Sequence, residues 1–262
     1  MRRRGRRRWR ANSRPATEKV SAARTLLLLG AAALALGFAF DARLPARPLL
    51  LPATHADPVQ TAAAQPAFAT HVGGVDYRIA PAADYDIAGL VVSRHDAEAW
   101  WDWIHAASND HLNVVDLCLI WGANAADGAY EKMSFSSGQF VCYVSSKDAS
   151  VWRPEYLRSL SNNHLLTDSA AVARRLRGLR VGDQVRLRGQ LASYSHDAGF
   201  AFTRGTSLTR EDTGNGACET LFVRDLEVLR KAPAWPRWLQ WLGALLILGG
   251  LWRWYAAPHR PR

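Results

Sequence analysis

"LRVGDQVRLRGQLASY" occupies residues 179–194, and its alternation decides how the rest of the chain is read. Val185, Leu187, Gly189 and Leu191 fall on one side, with Arg186, Arg188 and Gln190 on the other. A period of two is the mark of a strand with one buried face. Val181-Gly182-Asp183, just before it, is turn chemistry.

Working outward, "YDIAGLVVS" (85–93), "LNVVDLCLIWG" (112–122), "QFVCYVS" (139–145) and "ACETLFVRDLEVL" (217–229) read as further strands. "DSAAVARRLRG" (168–178) reads as a helix, with Thr167 or Asp168 capping its start and Gly178 near its end. "DAEAWWDWIHAA" (96–107) reads as an inserted helix. Three strands, a helix and two strands follow the order of the five-stranded Greek-key barrel, and 179–194 resembles the fourth strand of such OB-folds. The fold class expected is mainly β with helical insertions, an OB-like five-stranded barrel, plus two terminal transmembrane helices. "DYDIAGLVVSR", "SNNHL", "RGTSLTR" and "GNGACE" together resemble a family of bacterial membrane-anchored proteins. That resemblance implies a location and no particular activity.

Charge is distributed unevenly. Residues 1–24 hold ten Arg or Lys against one Glu, and residues 231–262 hold five basic and no acidic residues. Of a formal net charge of +10, the stretch 25–230 therefore keeps −4. A nucleic-acid partner wants a basic surface, so none is expected. The basic ends flank two apolar runs, "TLLLLGAAALALGFAF" (25–40) and "WLQWLGALLILGGLW" (238–252). Each is slightly short of the roughly 20 residues that cross a bilayer, and Arg24 and Arg253 can snorkel at their ends. The Trp and Tyr around the second run suit an interfacial belt.

The positive-inside rule then places both termini in the cytoplasm of a bacterial inner-membrane protein and the centre outside. The first run also fits a cleaved signal segment, for which "THA" (54–56) is a poor site. The expected layout is a basic N-terminus (1–24), a span (25–40), a Pro/Ala linker (41–71), the extracytoplasmic domain (72–230), a short linker (231–237), a second span (238–256) and a basic tail (257–262). Cys118, Cys142 and Cys218 lack any Cys-x-x-Cys spacing. An oxidising exterior permits one disulfide among them, and buried unpaired thiols are the alternative.

Three stretches carry polar chemistry. In "AWWDWIHAASNDH" (99–111), Asp102 lies three residues before His105, an orientation that suits a base or a ligand. The plainer reading is an aromatic helix face packed on the barrel. "SNDHL" (108–112) and "SNNHL" (161–165) repeat Ser-Asn-x-His-Leu and both read as junction turns. The sharper reading brings His111 and His164 together with Asp110 or Asp116. No pair has a close ligand spacing such as His-x-x-x-His, so no metal and no cofactor is assigned. In "FTRGTSLTRED" (202–212), Arg204 and Arg210 flank small hydroxyl residues and could grip an anion beside Asn162, Asn163 and His164. A Cys–His pair stays open, because such pairs meet in space and not in sequence.

The expected function is a binding or assembly module of the cell envelope, holding a protein partner or a small anionic ligand. The alternative is an envelope hydrolase that draws on His105, His111 and His164 with Asp110 or Asp116.

Overall fold

The computed structural model describes residues 16–209, 211 and 218–256. The chain forms two compact units, one from residues up to Ala42 together with those from Pro233 onward, the other from Arg43–Ala232. Helix α1 (Ala16–Asp41) opens the first unit.

The second unit is mainly β. In chain order it holds β1 (Val59–Ala62), β2 (Phe68–Val72), β3 (Val75–Asp96), α2 (Trp103–Ala107), β4 (Asn113–Ile120), α3 (Gly122–Asp127), β5 (Ser134–Gly138) and β6 (Val141–Ser145). Then come α4 (Pro154–Leu157), β7 (Leu160–Leu166), α5 (Ala170–Arg177), β8 (Gln184–His196), β9 (Phe202–Arg204) and β10 (Glu219–Arg230). The sheet is mixed. β3 pairs antiparallel with β4, β4 with β7, β10 with β8 and β8 with β3, while β7 and β10 run parallel. Those five pairings close a ring, so none of its five strands leaves a bare edge on it.

One face of each ring strand points inward. Leu117, Leu119, Leu165, Val185, Leu187, Leu191 and Leu221 are buried there, joined by Ala173 and Leu176 of α5. Each fully buried Leu stabilises by roughly 1.5–3 kcal/mol. The alternation in 184–196 forms the expected strand. Gly189 is required in it, because a Cβ at that position would lie 2.0 Å from the Phe222 carbonyl oxygen.

Several expectations are corrected. Residues 41–71 are not a free linker. β1 and β2 pair with β3, Thr54 is fully buried, and the Gln184 amide binds Leu51 N at 2.6 Å and Leu49 O at 3.0 Å. Short edge strands and proline-led turns carry no apolar period, which is why the segment reads as featureless. The third ring strand is Leu160–Leu166 and not 139–145, which is one arm of the separate β5–β6 hairpin. The second Ser-Asn-x-His-Leu is thus a buried strand, whereas the first ends α2, with Asn109 at φ 50°. The helix expected over 96–107 shrinks to Trp103–Ala107, capped by Asp102. Trp100 and Trp103 do not pack on the ring, being 95 % and 68 % exposed, whereas Trp101 meets His95 of β3 edge-on at 4.8 Å. Ser169 caps α5, in place of Thr167 or Asp168.

The first unit closes with α6 (Trp235–Tyr255). Within that unit α1 and α6 meet at glycines. A Cβ on Gly30 would lie 2.8 Å from the Gly243 carbonyl oxygen, and one on Gly243 would lie 2.7 Å from that of Gly30. Gly37 and Gly250 make equally close approaches to the facing helix. Ser21–Asp41 is long and apolar enough to cross a membrane, a test that an N-terminal signal sequence also passes.

Candidate functional site

The outward face of three ring strands carries the polar chemistry. Asp116 stands opposite His164 and Cys118 opposite Asn162 across β4 and β7, and Thr220 of β10 stands opposite His164 on the other side. Cys218 immediately precedes β10 and so joins the same row. Neighbouring strands lie about 5 Å apart, which brings side chains from three distant segments within contact.

The β5–β6 hairpin roofs this face. A disulfide ties Cys142 of β6 to Cys118 of β4. At the hairpin tip Phe140 adopts φ 63°, a left-handed conformation that costs a non-glycine residue about 1–2 kcal/mol. Its N–H donates to Asp116 Oδ2 at 3.1 Å, and its ring lies 3.8 Å from that of His105. The Arg204 guanidinium, from β9, stacks 3.6 Å above the same ring.

At the centre, His164 Nδ1 lies 2.7 Å from Asp116 Oδ1, with both side chains out of solvent. Burial pushes the Asp116 carboxyl up, but the charge and hydrogen bond of His164 and the Asn113 amide outweigh it and hold it below the usual range. Burial pushes His164 down, and Asp116 outweighs that, raising it to about 9. Cys218 is a free thiol beside His164, with the Asn162 amide 3.9 Å from its sulfur. Burial pushes the thiol up, and His164 with the Asn162 amide brings it below its ordinary value.

Arg204 Nη1 lies 3.1 Å from His164 Nε2. Guanidinium has no acceptor, so this contact is a hydrogen bond only when Nε2 carries no proton. A proton on Nε2 must point to the Cys218 sulfur instead. Two arrangements therefore satisfy the donors: neutral imidazole capped by Arg204, and imidazolium paired with a thiolate.

Behind this pair runs a buried chain of polar groups. Asn113 Nδ2 reaches Asp116 Oδ1 at 2.9 Å and His105 Nε2 at 3.0 Å. His105 Nδ1 and His95 Nε2 each lie 2.5 Å from Asp102 Oδ2. His95, Asp102 and His105 offer ligand atoms within 4.8 Å of one another. They form a hydrogen-bonded cluster better than a metal centre. Two ring nitrogens share one carboxylate oxygen at 2.5 Å, closer than donors around a tetrahedral zinc, which sit roughly 3.3 Å apart for bonds of about 2.0 Å. The Asn113 amide already occupies the other nitrogen of His105.

The remaining expected residues go elsewhere. His111 is exposed against the turn at Gly73 and takes no part in the network. Asp110 accepts from Tyr194 Oη at 2.5 Å and from Asn113 N at 3.3 Å. Asn163 is buried beneath the sheet, bonded to Ser161 Oγ at 3.0 Å. Arg210 lies outside the described residues. His164, Asp116, Asn162 and Arg204 converge, and His105 joins them through Asn113.

A cavity of about 620 Å³ opens beside the roof, lined by Gln139, Phe140, Asn162, Thr203, Arg204 and Cys218. Sequence reasoning left out Cys218, Asn113, His95 and Phe140. The one signal available for Cys218 was an unpaired third cysteine in "GNGACE". Its partner became visible only with the parallel register of β7 and β10.

No protein-family model matches the chain, and neither does any curated protein or solved structure.

Proposed function

We propose that this is a membrane-anchored envelope protein whose OB-fold barrel carries a thiol-dependent acyl-transfer site, most simply a hydrolase. Cys218 is the nucleophile, His164 its base and Asp116 the group that orients the imidazole. One observation carries the reading: a free cysteine on the wall of a cavity lies beside a histidine that is itself bonded to a buried aspartate. The sulfur attacks an acyl carbonyl carbon, and the leaving group departs with the proton held on His164. Water then cleaves the thioester, returning the proton and the thiol. The ring order β3-β4-β7-β10-β8, with a helix between its third and fourth strands in sequence, supports the OB-fold name. The outward face of β4, β7 and β10 corresponds to the ligand side of such barrels.

A second reading is a binding or assembly module for an anionic ligand or an envelope protein partner. Arg204, which has no carboxylate partner among the described residues, favours it. Location enters both readings. The glycine-mediated pairing of α1 and α6, and outward residues such as Leu28, Phe38, Leu245 and Trp252, suit two helices crossing a bacterial inner membrane with both termini in the cytoplasm. The resemblance to bacterial membrane-anchored proteins agrees with that arrangement.

Iodoacetamide alkylation of Cys218, followed by intact mass against pH, tests the thiol. The wild-type rate should reach half its maximum at a lower pH than the roughly 8.5 of an ordinary thiol. His164→Gln, checked for fold by circular dichroism, should move it back up. Superimposable profiles for the two proteins would remove the enzyme reading.

A further inference from the structure

Two groups at the cavity are held without the partner their chemistry asks for. Arg204 places Nη1 3.1 Å from His164 Nε2, lies over Phe140, and keeps its Nε buried with no hydrogen-bond partner among the described residues. No carboxylate pairs with its guanidinium among the described residues. Asn162 is 5 % exposed, lines the same cavity, and has its Oδ1 buried with no partner while Nδ2 points to the Cys218 sulfur at 3.9 Å. An orphaned buried acceptor costs stability until a donor arrives.

The complementary ligand has a carboxylate for the guanidinium and an N–H for the amide oxygen. Phosphate or sulfate supplies only acceptors in its ionised form, and would set them against Asn162 Oδ1. Val141 and Leu160 add apolar side chains to the lining, beside Gln139 and Thr203. Resting on the reading of Cys218 as the reacting thiol, we infer that the substrate is an N-acylated amino acid carrying a free α-carboxylate, as at the C-terminal residue of a peptide. Arg204 holds the carboxylate, Asn162 Oδ1 accepts from the amide N–H, and Cys218 faces the carbonyl carbon of that amide. Attack forms a thioester of the acyl part. The C–N bond breaks, and the amino acid leaves as its amine, with the His164 proton on nitrogen. Water hydrolyses the thioester and restores the thiol.

The test uses the full chain in detergent and follows Cys218 alkylation by iodoacetamide in the presence of small probes. N-acetylalanine should protect the thiol with an apparent affinity about tenfold tighter than N-acetylalaninamide, the change expected for one charge-assisted contact. Arg204→Gln should erase that difference, and Arg204→Lys, which keeps the charge and loses the fork, should restore part of it. Equal protection by acid and amide would overturn the carboxylate anchor. So would protection by inorganic phosphate with none by N-acetylalanine, or protection by no probe. The wild-type rate without probe separates the two claims. A slow, ordinary thiol still shielded by N-acetylalanine would sink the nucleophile and leave the carboxylate site. A fast thiol that nothing shields would do the reverse.

Discussion

His164 and Asp116 show how much one buried pair can set. Both side chains are out of solvent and 2.7 Å apart, so each is tolerable only with the other charged. The sign of the pH effect follows. His164 is raised in the folded chain from 6.5 to about 9, so the folded state holds a proton that the unfolded state gives up first. Its stabilising contribution is complete below pH 6.5 and is lost as pH rises through 9. Urea midpoints of the wild type should fall across that window, and His164→Gln should flatten the fall; equal slopes in both would show that the pair does not titrate. Little of this was legible from residue types. The sequence offered His164 beside Asp110 or Asp116, but with a separation of 48 it could not choose between them or leave out His111. Cys218 read as a spare thiol because nothing local marks a cysteine whose base lies on another strand.

At the level of elements, alternation made β8 legible and an apolar run made β4 legible, while strands with neither stayed hidden. Strand β8 alternates because its outer face meets solvent or salt bridges, such as Arg186 with Asp86 at 2.6 Å. Strand β7 is buried on both sides from Ser161 to Leu166, yet four of its residues are polar: Asn162 and His164 serve the network on the outer face, and Ser161 and Asn163 bond to each other on the inner one. Ser161, Asn162, Asn163 and His164 therefore looked like a turn. The hairpin misled for the opposite reason. β6 alternates well but bonds only to β5 and reaches the ring through side chains and one disulfide. That bridge closes a loop with a sequence separation of 24, worth about 3 kcal/mol in the chain-entropy account. Cys142→Ser should lower the denaturation midpoint accordingly and speed amide exchange through 134–145, while β8 stays protected. Unchanged exchange in the hairpin would mean that Phe140 and its contacts hold the roof unaided.

For the whole molecule, the terminal helices were legible as apolar runs, and their mutual fit was not. Gly30 and Gly37 on α1, and Gly243 and Gly250 on α6, are each seven residues apart, two turns of a helix; Gly30 faces Gly243, while Gly37 faces Pro236 and Gln240 and Gly250 faces Leu27. Read singly they were only glycines in apolar stretches. A Leu27→Cys, Gly250→Cys pair in a Cys218→Ser background should cross-link readily in membranes, because a Cβ on Gly250 would lie 2.9 Å from Leu27 Cγ. Adding Gly243→Leu should abolish the cross-link by forcing the helices apart. Persistent cross-linking would show that the glycines are not needed for the pairing.

The parallel partnership of β7 and β10 also orders events in time. Strand β7 cannot find its second neighbour until the last stretch of the domain has left the ribosome, so the ring is sealed by its final strand. Cys118 and Cys142 emerge long before that. In an oxidising compartment they can join while Cys218 is still inside the ribosome or the translocation channel. Cys218 is delivered last, to a chain whose other two sulfurs are already spent. Synthesis from N- to C-terminus thereby protects the correct pairing without any contact devoted to it.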